Sequence, residues 1–269
     1  MATYNHHVDW DQLREVGRRG IRRASVFMGI GTNAARSTPP TSHVLEKSQF
    51  RVVPSTVSDE MQKEFAENFE RWVVSNGFRE IVETFAAFFV QVFKGAFLLG
   101  SVGSVKVEAF QKAASRFDRL GVERQLIEIN DMLMLDGRFL PMFSALNVAR
   151  NCMAHRRGIV GLEDEAIPGS GFNLVWRTRT VQLEDGTDVS QAVARGEAPR
   201  VEAGGSLFSL EVDRLKHFNV GEEIRLTQHE LNEICFGATI TIEWVVTGLI
   251  ELARQKGFKV DTTPVQATD

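Results

Sequence analysis

The sequence has few of the residues that mark several protein classes. Its 269 residues include 2 cysteines, 7 prolines and 1 tyrosine, and its formal net charge is −4. Two cysteines exclude a disulfide-stapled scaffold, and the acidic balance gives the chain as a whole no general attraction for nucleic acid. Because 43% of the residues are hydrophobic, the class that remains is an ordinary globular chain with a sizeable core.

Signals for export or membrane insertion are also missing. Cys152 and Cys235 match no zinc spacing, and both lie in apolar helical contexts, which favours a reducing compartment. The N-terminus has neither the basic start nor the apolar run of a signal peptide. The most apolar stretch, Ile81 to Val105, contains charged residues such as Glu83, so we interpret it as a buried helix. We therefore expect a cytoplasmic protein with no membrane partner.

Apolar residues recur with a helical period over the first 160 positions. The chain has 19 phenylalanines, a composition that suits dry packing, and their spacing predicts a core. We expect a first helix over about 9–28 and a loop or arm over 29–54. A long element then starts at Ser58 and ends near Gly100, with a kink or break at Asn76-Gly77. Further helices are expected over about 105–120, 123–135 and 142–155, which together indicate a helical bundle.

The period changes after Gly158. Residues alternate over 175–183 and again over 207–212, as in half-buried strands, and Asp185-Gly186 is typical of a hairpin turn. Thr227 and Glu230 then form a capping-box pattern that opens a last helix reaching about Lys256. The predicted fold is mainly α, with a β-rich insertion before the last helix. We divide the chain into an N-terminal helix and arm (1–57), the bundle (58–160), the insertion (161–226), the final helix (227–258) and a frayed tail (259–269).

The chain's one dense set of reactive polar groups lies between Asn147 and Gly158. Asn151 and His155 are four residues apart and share one face of the predicted helix, which Arg150 flanks. The long stem of Arg150 can bring its guanidinium back towards the imidazole. An imidazole can exchange protons near neutral pH, and a guanidinium can pair with phosphate oxygens. These residue types favour phosphodiester chemistry without a metal.

The pattern Arg150-Asn151-x-x-x-His155 resembles the hallmark of the HEPN superfamily, an Arg followed after four to six residues by a His, most often with Asn, Asp or His directly after the Arg. Arg36 and His43 meet the loose form as well, but in a Pro-containing loop. The resemblance implies a HEPN-like antiparallel helical bundle. It also implies a metal-independent endoribonuclease of the kind found in bacterial toxin–antitoxin and phage-defence systems.

The resemblance also implies how the residues act. In catalytic relatives two such helices meet across a two-fold dimer axis, each protomer supplies an Arg and a His, and cleavage leaves a 2′,3′-cyclic phosphate. His155 would be the general acid/base, Arg150 the phosphate and transition-state stabiliser, and Asn151 the orienting residue. Arg156 and Arg157 would be auxiliary phosphate contacts. The implied partners are a second copy of the chain, an RNA substrate and an antitoxin protein, with no cofactor and no metal.

Two alternatives remain open at this point. The chain could be a non-catalytic HEPN-like module that binds RNA or protein, or dimerises. It could also be an unrelated helical protein in which Arg150 pairs with a carboxylate such as Glu128 or Asp131, and the helix dipole favours a charged His155. The first helix carries an arginine stripe, which is either a solvated face or a surface for RNA backbone; its members are Arg14, Arg18 and Arg22.

Overall fold

The computed structural model describes residues 8–44, 52–101, 106–194, 197 and 205–260. It is mainly helical, with one small two-stranded antiparallel sheet, as the sequence predicts. The elements in chain order are α1 (Trp10–Ala35), α2 (Asp59–Gly100), α3 (Val107–Asp118), α4 (Val122–Leu133), α5 (Leu140–Arg156), β1 (Phe172–Leu183), the short α6 (Ser190–Ala194), β2 (Leu207–Phe218) and α7 (Gln228–Gln255). Residues 195–196 and 198–204 before β2, and the tail from 261, lie outside the described residues.

Helix α1 is longer than the sequence indicates. We expected a loop from Gly29, and that expectation is wrong for residues 29–35, which continue the helix. A Cβ at Gly31 would lie 2.6 Å from a side-chain carbon of Val73 in α2, so the glycine is where the two helices approach closely. The Thr32 hydroxyl also donates to the Met28 carbonyl at 2.8 Å. Tertiary packing here outweighs the low helix propensity of glycine.

Helix α2 runs unbroken for 42 residues through Asn76 and Gly77. A Cβ at Gly77 would lie 2.3 Å from Sδ of Met28, so this glycine also lies at the contact between α1 and α2. The Asn76 side chain donates to the Trp72 carbonyl at 2.7 Å, within the same helix. The Asn-Gly pair therefore supports helix packing and does not end the element.

Phenylalanines of α2 form the centre of the core, as their spacing predicts. Phe85 is fully buried, and its ring meets Phe143 of α5 edge-on, with centroids 4.4 Å apart. Phe89 contacts both rings. These contacts fix α5, which carries the Arg-Asn-His motif, against the longest helix of the bundle.

The two strands pair antiparallel, from Phe172 opposite Phe218 to Leu183 opposite Leu207. Asp185-Gly186 does form a turn, with the Gly186 amide donating to the Leu183 carbonyl at 2.9 Å. The strand that pairs with β1 nevertheless begins only at Leu207. Strand β1 packs on α5 and α7, and its Trp176 indole donates to Glu233 of α7 at 3.0 Å. The insertion therefore covers the bundle on the side of α5 and α7.

Helix α7 returns to the bundle and packs against α1 and α2. Its predicted capping box is present, with the Thr227 side chain accepting from the Glu230 amide and the Glu230 side chain from the Thr227 amide. Glu243 of α7 accepts from Arg14 at 3.1 Å and from Arg18 at 2.6 Å. Two arginines of the first-helix stripe thus join α1 to α7, which makes a structural role the better interpretation of this stripe.

Alanine at Gly237 is expected to destabilise the fold. A Cβ there would lie 1.9 Å from the backbone carbonyl oxygen of Arg177, so α7 and β1 would have to separate. Overpacking of this kind costs about 1–3 kcal/mol or more in the free energy of unfolding, which urea denaturation measures. Gly29→Ala is the control, because its Cβ would meet no atom within 4 Å. Equal stability of the two variants would contradict this packing.

Helices α2 and α7 are long and apolar enough to cross a membrane by length and composition alone. In the most apolar part of each helix, 50% of α2 and 67% of α7 is buried inside the protein. Buried core helices of soluble proteins have the same length and composition. The cytoplasmic location stays a prediction.

Candidate functional site

The motif lies in the last two turns of α5, where the sequence places it. Arg157 ends the helix in the left-handed conformation at φ 56°, and Gly158 follows at φ 81°. The Gly158 amide donates to the Cys152 carbonyl at 3.2 Å, which satisfies one of the free carbonyls at the helix end. The buried face of α5 packs on α2, α4 and β1, so the motif is held by a rigid helix.

The opposite side of α5 is accessible to solvent. Asn151 is half-buried at the centre of this surface, and Ala154 and His155 are exposed. We call this surface the motif strip, and it consists of Ser144, Asn147, Val148, Asn151, Ala154 and His155. His155 has no hydrogen bond or ion pair with any residue that the structure describes. The imidazole is therefore free to meet a ligand.

The Arg150 side chain lies at the margin of the motif strip. One of its terminal nitrogens donates to Asn147 Oδ1 at 3.2 Å, and its Nε is buried without a hydrogen-bond partner. Asn147 is one turn towards the N-terminus, so the guanidinium lies away from His155. Five residues separate Arg150 and His155 by about 7.5 Å along the axis and roughly 140° around it. The expected approach of the two groups does not occur within this single chain.

The structure gives no support to a structural ion pair of Arg150. Glu128, one of the two carboxylates expected as partners, pairs with Arg116 at 2.6 Å. Across the described ranges, no carboxylate pairs with Arg150. A guanidinium with spare N–H donors beside an accessible strip retains the capacity to bind an anion.

Arg156, expected as a phosphate contact, is occupied by carboxylates. Its guanidinium donates to Asp164, whose side chain is only 3% exposed, and lies 2.8 Å from Glu163. Asp164 also accepts from the Gly161 amide at 2.9 Å. Arg156 therefore anchors the 3₁₀ turn Leu162–Asp164 to the end of α5, which favours a structural role.

Glutamine at Arg156 is expected to lower the free energy of unfolding by about 2 kcal/mol, because Asp164 would keep a buried charge without its cation. Arg157→Gln is the matched control, since Arg157 is exposed and has no ion pair in the described part of the chain. Thermal denaturation of both variants measures the difference. A similar loss in both would show that Arg156 has no special structural role.

Arg157 opens onto a cleft of about 230 Å³ beside the end of α5. The other walls come from Arg36 directly after α1, from α2 and from the segment after β2. Sequence reasoning identified Arg157 but missed the cleft, because its residues are distant in the chain and share no local pattern.

The Cys152 thiol lies on the buried side of the motif helix. It is fully buried and donates to the Ile159 carbonyl at 3.1 Å. Burial, with a further contribution from the Asp164 charge, raises the pKa of this thiol to about 11. Because a thiol is reactive only as the thiolate, Cys152 is unsuited to be a nucleophile.

A metal centre has no support in the described residues, where no group of three or more His, Cys, Asp and Glu side chains could hold an ion. Comparison of the chain with protein-family models, curated proteins and solved structures found no match. The interpretation of the motif therefore depends on the residues of this chain and their geometry.

Proposed function

We propose that the protein is a metal-independent endoribonuclease of the HEPN type, active as a homodimer. The observation that supports this best is the condition of the motif: Arg150 and His155 lie on an accessible helix end, and neither has a carboxylate partner in the part of the chain described. Arg156, by contrast, is paired with Asp164. The motif residues thus keep their donors and acceptors for a ligand.

A second copy of the chain completes the site in this proposal. Within one protomer, Arg150 and His155 are too far apart around the helix to contact the same phosphate. Antiparallel pairing of two α5 helices about a point between these residues would bring Arg150 level with His155 of the partner subunit. A two-fold axis requires a self-complementary surface, and the motif strip suits this because it contains no Asp, Glu, Lys or Arg.

The chemistry in this site is transesterification. One imidazole takes the proton of a ribose 2′-OH, whose oxygen forms a bond to phosphorus. The bond from phosphorus to the 5′ oxygen breaks, and a second imidazole donates a proton to that leaving oxygen. Arg150 stabilises the negative charge that builds up on the non-bridging oxygens, and Asn151 orients the imidazole or the phosphate. The products carry a 2′,3′-cyclic phosphate and a 5′-hydroxyl.

Incubation of the purified protein with RNA in excess EDTA tests this reaction class. Cleavage should persist in EDTA, because the residues supply the acid and the base without a metal. A strand of the same sequence with 2′-O-methyl groups should remain intact, because the nucleophile is blocked. Cleavage of the methylated strand, or a requirement for added metal, would contradict the mechanism. The resemblance of the motif to the HEPN superfamily extends the proposal to a toxin or defence role, with an antitoxin as partner.

Arginine at Ala154 is expected to convert the dimer to a monomer and to abolish RNA cleavage. Ala154 is exposed in the motif strip beside His155, so the substitution would add bulk and like charges where two copies meet. Sedimentation velocity measures the oligomeric state. Val107→Arg on α3, which is 67% exposed, is the control and should stay dimeric and active.

A different dimer surface would contradict this arrangement. Phe27 and Trp72 are exposed on the faces of α1 and α2 and offer an apolar alternative. If Ala154→Arg stays dimeric and active while Trp72→Arg becomes monomeric, the motif strip is not the interface.

A further inference from the structure

The cleft beside Arg157 is built from segments that meet only in the folded chain. Arg36, directly after α1, and residues of α2 form one side, the end of α5 forms another, and the segment after β2 closes it. Backbone bonds hold this segment to the end of α5, since the Ile224 amide donates to the Gly158 carbonyl at 2.8 Å and the Val160 amide to the Glu222 carbonyl at 2.9 Å. The cleft is therefore a fixed part of the fold.

Most charged side chains that line the cleft form ion pairs with one another. Four arginines face three glutamates there, which leaves one positive charge in excess. Glu223 forms ion pairs with Arg71 at 2.5 Å and with Arg225 at 2.7 Å. Arg36 pairs with Glu70 at 2.5 Å, and Arg71 also lies 3.6 Å from Glu67.

Arg157 is the arginine of this cleft that has no carboxylate partner within the described ranges. Its five N–H donors are open to an external acceptor, and each glutamate nearby already has a cation. A charge-assisted bond to an anion is strengthened by apolar surroundings, which the cleft supplies through Val74, Met153, Ile224 and Leu226. The chemistry of the cleft thus combines one free cation with an apolar wall.

The size of the cleft limits what can enter. At about 230 Å³ it is smaller than the sites of roughly 300–1,000 Å³ that hold drug-sized molecules. A single flat group with an attached anion fits this description. Proteins that read single-stranded RNA commonly stack a splayed base on aromatic side chains or on guanidinium planes, and this cleft offers guanidinium planes beside an apolar wall.

We propose that this cleft holds one nucleotide of the RNA strand next to the cleaved bond, with its phosphate on Arg157 and its base against Met153 and Leu226. The proposal rests on the proposed function for the identity of the ligand. Arg157 directly follows the last residue of α5 and lies seven positions after Arg150, so the cleft is at the C-terminal end of the helix that carries Arg150. A strand bound along this helix passes from the Arg150 phosphate to the cleft.

Binding of a fluorescent 2′-O-methyl RNA oligonucleotide, measured by anisotropy over a range of salt concentrations, tests this subsite without cleavage. Arg157→Gln should weaken binding about tenfold and reduce the slope of log Kd against log salt by about 0.7, the value for one phosphate contact on a single strand. Arg157→Lys should retain the slope. Leu226→Ala should weaken binding with an unchanged slope, because it removes apolar contact and no charge.

Arg19→Gln is the control, because Arg19 on α1 is 76% exposed and its loss changes the net charge equally. Equal effects of Arg19→Gln and Arg157→Gln would overturn the proposal. Displacement of the oligonucleotide by inorganic phosphate at equal concentration would also overturn it, in favour of a free-phosphate site. If RNA is cleaved but Arg157→Gln binds like the parent, the subsite is wrong and the ribonuclease stands. If binding depends on Arg157 but RNA is not cleaved, the subsite is supported and the proposed ribonuclease activity is wrong.

Discussion

Replacing His155 with alanine is expected to lower the rate of RNA cleavage by about 10²- to 10⁴-fold, the usual contribution of a general acid or base. The free energy of unfolding should change by no more than about 0.5 kcal/mol, because His155 is exposed and makes no hydrogen bond or ion pair with a described residue. Cleavage assays and urea denaturation of the same preparation measure both quantities. Loss of activity at unchanged stability is the signature of a residue that acts on the substrate.

His229→Ala is the matched control for this experiment. His229 is also a histidine near a helix end, exposed at the first turn of α7, and among the described residues its ionic neighbour is Glu233 at 3.5 Å. Its replacement should leave cleavage unchanged. An RNA-binding protein whose affinity survives His155→Ala, and which cleaves no RNA in either form, would instead be the non-catalytic module that the motif also allows.

Replacing Phe85 with alanine is expected to lower the free energy of unfolding by about 3–5 kcal/mol, the usual cost of removing a large buried aromatic ring. Phe85 is fully buried between Phe143 and Phe89, so the cavity would open where α2 and α5 meet. The urea midpoint measures the loss. Because these rings hold the motif helix in place, cleavage by the variant should fall at a temperature where the parent is fully folded.

Phe27→Ala tests whether burial causes this effect. Phe27 lies on α1 and is 62% exposed, so its removal should cost less than about 1 kcal/mol. If Phe85→Ala is as stable as Phe27→Ala, the contact of α2 with α5 does not stabilise the fold as described.

The sequence predicted the elements whose signals are local. The capping box at Thr227 and Glu230 opens α7, and Gly158 follows α5, because caps depend on residues within one turn. The predicted end of α1 was wrong because it depends on a contact that is distant in the sequence. Gly29 and Gly31 predict a loop by propensity, but contact with Val73, more than forty positions later, makes Gly31 part of a helix crossing. No local pattern contains that partner.

The site shows the same division. The position of Arg150, Asn151 and His155 at an accessible helix end followed from their spacing. The ion pair of Arg156 with Asp164 could not be predicted in this way. Arg156 and Arg157 are neighbours in the sequence, and their order does not show which of them pairs with a carboxylate. The unpaired positive charge of Arg157 likewise could not be predicted. It depends on how Glu67, Glu70 and Glu223 pair with the other arginines of the cleft, and only the fold brings these residues together.

The distribution of charge, as well as the net charge, determines the expected affinity for RNA. A net charge of −4 predicts weak general affinity for RNA, and the arginines of α1 are engaged with Glu243 and Glu15. Binding should therefore depend on a confined surface at the end of α5. We expect it to be weak and sensitive to salt, and tight binding that persists at high salt would contradict this prediction.

The most direct measurement is mass spectrometry of the ends of RNA fragments produced by the purified protein in EDTA. The proposed mechanism predicts 2′,3′-cyclic phosphate and 5′-hydroxyl ends, and their disappearance with His155→Ala. Fragments with 5′-phosphate ends, or the same fragments from the His155→Ala variant, would contradict it.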